Sequence, residues 1–297
     1  MLRPIMKNVN GLHLVVGSPF IYIENSSTLV MADLHFGFEE AASRGLVYSV
    51  RKTSGYYAIF VPRIQFRKTI SYLERTLDKL RVKRVIINGD LKHAFDRLLR
   101  QEKDEVVGLI RFLRDNGVND VIVIRGNHDN FIKPVLRKLD VEFANSISTI
   151  VDGKRILLTH GHEEVDILEH DLIIIGHEHP SLKCFDTYRF PCFMKIPMND
   201  DKLIVVMPAT GPYHPGVVVT PFPSDYLSPL LRKMKSLEST SIITWIDLGE
   251  ASVQGANLLE SMESSNYVNI ERFIVSDREY GVVEFKNYMA VQLLCQI

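Results

Sequence analysis

Seven residues of three kinds, Asp33, His35, Asp90, Asn127, His160, His177 and His179, have the types and spacing to seat a pair of divalent cations. Asp33-x-His35 and His177-x-His179 each put two side chains on one face of an extended segment, where side chains alternate with period two. Asn127 offers a neutral carbonyl oxygen, His160 an imidazole, and Asp90 a carboxylate able to bridge. Gly89, Gly126, Gly161 and Gly176 stand beside them and permit the tight turns that would swing them inward. Nitrogen and oxygen donors without cysteine favour Mn²⁺, with Fe²⁺ or Zn²⁺ as alternatives; Mg²⁺ prefers fewer histidines. Two such ions against two carboxylates leave a positive centre suited to an anionic phosphate ester. At a spacing of about 3.5–4 Å they can hold a hydroxide between them. The expected reaction is in-line attack of that bridging hydroxide on phosphorus.

His128 follows one candidate ligand and precedes Asp129. It is expected to assist the departing alkoxide, with Asp129 orienting its ring. Lys92, His93, His162 and His214 are candidates for contact with substrate. Each has a plainer role beside that one: Lys92, His93 and His162 as hydrogen-bonded supports, and His214, like His13 and His170, as a lone histidine in the core.

These groups need elements to carry them. Five times a short Val-, Ile- and Leu-rich run ends in Asp, Asn or His: Thr28 to Ala32, Arg84 to Asn88, Val121 to Arg125, Arg155 to Thr159 and Leu172 to Ile175. Such runs read as central strands covered on both faces, with the polar groups at their carboxyl ends. Helical spacing predicts helices over 63–82 and 101–115, the second stopped by Asn116-Gly117. Strand–helix alternation implies parallel pairing in the first half. Prolines and short strands from 172 to 220 imply a second, largely antiparallel sheet packed on the first. The expected class is α/β, a layered sandwich of two mixed sheets with helices outside.

Asp33-Leu-His35, Gly89-Asp90, Gly126-Asn127-His128-Asp129, His160 and Gly176-His-x-His179 together resemble the motifs of the calcineurin-like metallophosphoesterases. That resemblance implies one ion on Asp33, His35, Asp90 and His179 and another on Asp90, Asn127, His160 and His177. Gly89-Asp-Leu-Lys-His93 and Pro208-Ala209 look most similar to the archaeal and ligase-associated branch, related to double-strand-break-repair nucleases. Thr210 stands where that branch tends to carry an aromatic residue. The resemblance covers about residues 1–232 and implies a DNA-repair, helicase or ligase partner. Residues 233–297 are expected to form a C-terminal extension, a small cap or an interaction element.

The 297-residue chain is 46% hydrophobic and 24% charged, which excludes a disordered or fibrous protein. Its apolar runs fall short of the roughly 20 residues a membrane helix needs, and residues 1–25 lack a signal-peptide pattern, so a cytoplasmic protein is expected. Three cysteines are too few for a disulfide scaffold. Free thiols are the default, with a Cys184–Cys192 cross-strand bond the alternative in a hyperthermophile. The net charge of −1 conceals polarisation: 41–85 carries eleven basic residues against Glu74 and Asp78, whereas the chain from 236 onward is acidic. A basic segment containing Tyr48, Tyr56, Tyr57 and Phe60 suits nucleic acid. A basic stretch of this kind is more often a solvated helix face, and core packing explains the aromatics as well. A phosphodiesterase acting on nucleic acid is the leading expectation. Small phosphodiesters or nucleotides are the second, and a non-catalytic metal-binding scaffold the third.

Overall fold

The computed structural model describes residues 6–9, 11–51, 61–185, 188–214, 216–249, 259–260, 262–263 and 265–295. Among them, β1 (Met6–Val9), β2 (Leu12–Val15), β3 (Phe20–Ile23), β4 (Thr28–Met31), β5 (Arg84–Asn88), β6 (Asp120–Ile124) and β7 (Glu142–Ala144) form one sheet in chain order. The first four run antiparallel, and β4 to β7 run parallel. The central parallel strands β5 and β6 are the sheet's richest in Val and Ile. Alternation along β4 sends Leu29 and Met31 to the helical side and Val30 to the other sheet.

The second sheet comprises β8 (Ser146–Val151), β9 (Lys154–Thr159), β10 (Leu172–Ile175), β11 (Ser181–Cys184), β12 (Tyr188–Pro197), β13 (Leu203–Val206), β14 (Ser241–Asp247), β15 (Val268–Val275) and β16 (Arg278–Phe285). Its order is β15-β16-β14-β12-β13-β10-β9-β8, with β11 paired on β12. Only β9, β10 and β13 pair in parallel. The two sheets pack through Ile21, Val30, Ile86 and Ile122 against Leu158, Ile174, Val205 and Ile243. The expected sandwich of two mixed sheets is therefore the observed one.

Helices α1 (Phe38–Arg51), α2 (Gln65–Leu77) and α3 (Arg100–Asp115) follow β4 and β5, and α4 (Lys133–Lys138) follows β6. α3 buries Val106, Leu109, Ile110 and Leu113 as its spacing predicts. It stops where Gly117 takes φ 84° and its N–H returns to the Arg114 carbonyl. α2 ends short of residue 82, because the N–H groups of Lys79 and Leu80 both turn back to the Thr76 carbonyl. Its buried face is Gln65, Thr69, Leu73 and Thr76, more polar than the Ile and Leu stripe suggested.

On the outer side of the second sheet, α5 (Pro229–Arg232) and α6 (Tyr288–Cys295) cover a cluster that includes Tyr226, Leu231, Ile242, Phe285 and Val291. Residues beyond 232 supply β14, β15 and β16, which continue the sheet from β12. Cys184 is bonded to Cys295 and Cys192 is a buried free thiol, which corrects the expectation of free thiols at Cys184 and Cys295 and the alternative Cys184–Cys192 pairing. The hairpin register sets Cys184 opposite Tyr188, while α6 lies against β11 and brings Cys295 within a Cα separation of 4.2 Å. Tyr56, Tyr57 and Phe60 lie outside the described residues, and Tyr48 is described only as a backbone position of α1. No helix among the described residues is long and apolar enough to cross a membrane.

Candidate metal centre

Three ligand-bearing loops leave the parallel strands β4, β5 and β6, and two leave β9 and β10 of the facing sheet. Convergence follows from topology, since these strands present their carboxyl ends to one edge of the sandwich. The loops are stitched across that edge. Asp33 N–H donates to the Gly89 carbonyl at 3.0 Å, His35 N–H to Asp90 at 2.9 Å, and Gly176 N–H to His160 at 3.1 Å.

The side chains meet accordingly. Asp33, His35, Asp90 and His179 bring one potential ligand atom each within 4.8 Å of one another, and so do Asp90, His160 and His177. Asp90 belongs to both groups, with Oδ2 3.7 Å from His35 Nε2 and 3.4 Å from His160 Nε2. On the first side, Asp33 Oδ1 lies 3.1 Å from His179 Nε2, and the two histidine Nε2 atoms of 35 and 179 are 3.2 Å apart. Asn127 Oδ1 is buried with no hydrogen-bond partner among the described residues, and the buried His160 Nε2 faces only the Asp90 carboxylate at 3.4 Å. A buried polar atom left so is costly unless something else binds it. His160 donates from Nδ1 to the Asn88 carbonyl at 3.0 Å, which turns its Nε2 lone pair inward as a metal ligand requires. The seven residues thus fit a pair of divalent ions.

Five of them, Asp33, His35, Asp90, His177 and His179, have positive φ, from 46° to 70°. Left-handed backbone is costly for residues with a Cβ and persists where the surroundings enforce it. The glycines also act by close approach: a Cβ at Gly126 would overlap the Asp90 carboxylate, and one at Gly89 the His160 ring.

Electrostatics in the metal-free protein follow the crowding. Burial disfavours the charged form of His160, but Asp90 and Asp33 overcome it and hold it up at about 9. Burial works to raise the Asp90 carboxyl, yet His160 and His35 bring it below the usual range. His177 falls to about 4 through burial and the neighbouring His160.

His128 sits at the rim. Its Nδ1 donates to the His93 carbonyl at 2.5 Å, leaving Nε2 4.0 Å from Asp90 Oδ2. Asp129 does not orient that ring. Its carboxylate accepts the N–H groups of Leu91 at 2.9 Å, Lys92 at 3.3 Å and Gly126 at 2.9 Å, tying two ligand loops together. Lys92 is also placed otherwise than expected: it is fully buried, with Nζ donating to the Ala94 and Arg97 carbonyls beside Glu102. His93 and His214 do reach the centre. The His214 ring stacks on His35 at 4.0 Å, and His93 lies 5.4 Å from the same ring. Burial and the His179 charge lower His214 to about 3, and burial with His128 lowers His93 to about 4, so both are neutral at pH 7. His162 packs 5.2 Å from the His160 ring and 3.3 Å from Glu163.

Residues without metal-ligand chemistry hold the frame. Gln65 donates from Nε2 to the carbonyls of Leu34 and His35, which steadies the first loop. The buried Glu178 carboxylate accepts the Leu227 and Ser228 N–H groups. The position of Glu178 between two histidines is the one signal for it in the sequence; a glutamine opening an apolar helix gives none.

A family model described as calcineurin-like phosphoesterase matches residues 26–207. No curated protein matches the chain. Among solved structures, a Pseudomonas putida nuclease, MPE, aligns over 80% of this chain and 95% of its own at 20% identity and a TM-score of 0.52, a likeness of fold. A protein of unknown function from Aquifex aeolicus aligns at 20% identity over 51% and 78% of the two chains, with a TM-score of 0.32. Vacuolar protein sorting 29 from Cryptosporidium parvum aligns at 16% identity over 88% and 97%, also with a TM-score of 0.32.

Proposed function

We propose, from the premise that this chain belongs to the calcineurin-like phosphoesterase family, that it is a dinuclear metal-dependent phosphodiesterase acting on nucleic acid. The observation that carries the proposal is Asp90, one carboxylate within reach of two separate groups of ligands. Asp33, His35, Asp90 and His179 would hold one ion, and Asp90, Asn127, His160 and His177 the other, with Mn²⁺ suited to this nitrogen and oxygen set. When bound, the ions supply Lewis-acid charge for the phosphoryl oxygens and a water acidic enough to attack at neutral pH.

The chain's own residues do the rest. The His93 carbonyl accepts the proton on His128 Nδ1, so any further proton taken up by the ring is carried on Nε2, the nitrogen at the rim that would donate to the departing oxygen. Neutral His93 and His214 wall the centre without drawing the phosphate away from the ions. Asp129 holds the loops of Gly126 and Leu91 in register, a positioning role.

Nucleic acid as substrate is supported by the basic character of 41–85 and by the shared fold of the Pseudomonas putida nuclease. The archaeal and ligase-associated branch, with a repair, helicase or ligase partner, belongs to the same proposal. The test compares Mn²⁺-dependent hydrolysis of bis-p-nitrophenyl phosphate, labelled single-stranded DNA and duplex DNA. DNA cleavage that weakens steeply with salt is expected. Hydrolysis of the small ester and of cyclic or dinucleotide substrates alone would replace the reading with a small-nucleotide phosphodiesterase.

A further inference from the structure

A groove of about 790 Å³ runs from the metal centre, at His179 and His214, to Trp245 and Arg278 on β14 and β16. Its walls come from α2, the β11–β12 hairpin, the loop of residues 209–214 and the C-terminal strands, among other segments. The far end therefore lies beyond residues 26–207, in chain that the family match does not span.

The lining combines cations and aromatic rings. Lys68, Arg75, Arg189 and Arg278 supply four cations against the one lining acid, Asp247, which is 3.0 Å from Arg278. Arg189 is exposed and held by neutral acceptors, the Ser181 hydroxyl at 3.0 Å and the Gly216 carbonyl at 2.7 Å. Arg75 contacts the Ser71 hydroxyl and lies over the Tyr72 ring at 5.1 Å. These contacts orient both guanidinium groups without neutralising them. Tyr72, Phe190 and Trp245 line the same groove and are half-buried, each packed in part against the core.

We infer that this groove is the track for a single strand of nucleic acid leading to the metal centre, with the C-terminal strands building its distal half. The inference rests on the phosphodiesterase reading above and names the form of its substrate. Several cations lining one groove that opens on a phosphoesterase centre suit the phosphates of a strand. Aromatic rings in the same lining suit stacking on unpaired bases, which a duplex does not offer.

Trp245 is the chain's only tryptophan, so its emission reports on the groove directly. The test titrates the intact protein with an end-labelled oligo(dT), reading label anisotropy and Trp245 emission together. Binding is expected to quench Trp245. Arg75→Ala and Arg189→Ala together are expected to raise Kd about ten-fold and to reduce the slope of log K against log salt by about 1.4, near 0.7 for each phosphate that is no longer neutralised. Trp245→Ala is expected to weaken binding about ten-fold. Cleavage of the oligonucleotide is expected to fall more than hydrolysis of bis-p-nitrophenyl phosphate, and an equal loss on both would overturn the assignment. Tight binding without quenching, and with no loss in the arginine variants, would overturn the groove and leave the nuclease reading standing. Hydrolysis of the small ester with no oligonucleotide binding would overturn both.

Discussion

Asp90 Oδ2 lies 3.4 Å from His160 Nε2, and both side chains are shut away from solvent. One comes from the loop after β5 and the other from the end of β9 in the facing sheet, so the contact closes the sandwich at its functional edge. The two carry opposite charge at this contact, and the proposed function makes both of them metal ligands. Adding Mn²⁺ is therefore expected to raise the melting temperature as log concentration rises, with a gain in unfolding free energy of about 2.7 kcal/mol per site at a hundred times Kd. Asp90→Asn should abolish that rise and cut turnover at least about 100-fold. A variant that melts and turns over like the parent would contradict the shared carboxylate.

His128→Ala leaves every proposed ligand in place, so metal content should hold at the parent value. Turnover on DNA, whose leaving group is an alkoxide, is expected to fall about 10²- to 10⁴-fold. The loss should be much smaller with p-nitrophenyl esters, which leave without a proton. Equal losses on the two leaving groups would remove His128 from the role of acid.

Gln65 sits on α2, yet its Nε2 holds the carbonyls of Leu34 and His35. Gln65→Leu keeps similar bulk, orphans the Leu34 carbonyl and leaves the His35 carbonyl with only the Phe38 N–H at 3.3 Å. The expected cost is about 1–3 kcal/mol in denaturant melts, together with weaker Mn²⁺ binding. Loss of stability with unaltered metal affinity would confine Gln65 to the core.

Glu105 accepts hydrogen bonds from Gly37 N–H at 2.9 Å and Gln101 at 2.7 Å, and burial raises its carboxyl to about 7. A carboxyl raised in the folded state stabilises below its unfolded value near 4.5, and that contribution is lost as pH climbs through about 7. After allowance for partial exposure, stability should fall by about 1–2 kcal/mol between pH 5 and 8. Glu105→Gln should flatten that interval; urea melts at the two pH values decide it, and an unchanged slope would refute the assignment.

The gathering of the seven candidate ligands is legible because each follows a strand-sized apolar run, and strand ends in such sheets converge. Lys92 misleads for a physical reason: a lysine beside a ligand resembles a phosphate contact, and nothing local announces that Glu102 and two carbonyls draw it inward. Asp129 misleads in the same way, since adjacency to His128 in sequence says little about which N–H groups its carboxylate meets. The left-handed backbone at Asp33, His35, Asp90, His177 and His179 is invisible too, because it is imposed by tertiary contacts and not by glycine at those positions. The strands after residue 240 carry no chemistry-bearing motif, and their pairing onto β12 depends on distant partners.

The most direct test of a two-ion centre is anomalous diffraction from crystals grown with Mn²⁺. Two peaks about 3.5–4 Å apart, with the Asp90 carboxylate between them, are expected. A single peak, or a pair that leaves Asp90 uncoordinated, would contradict the account.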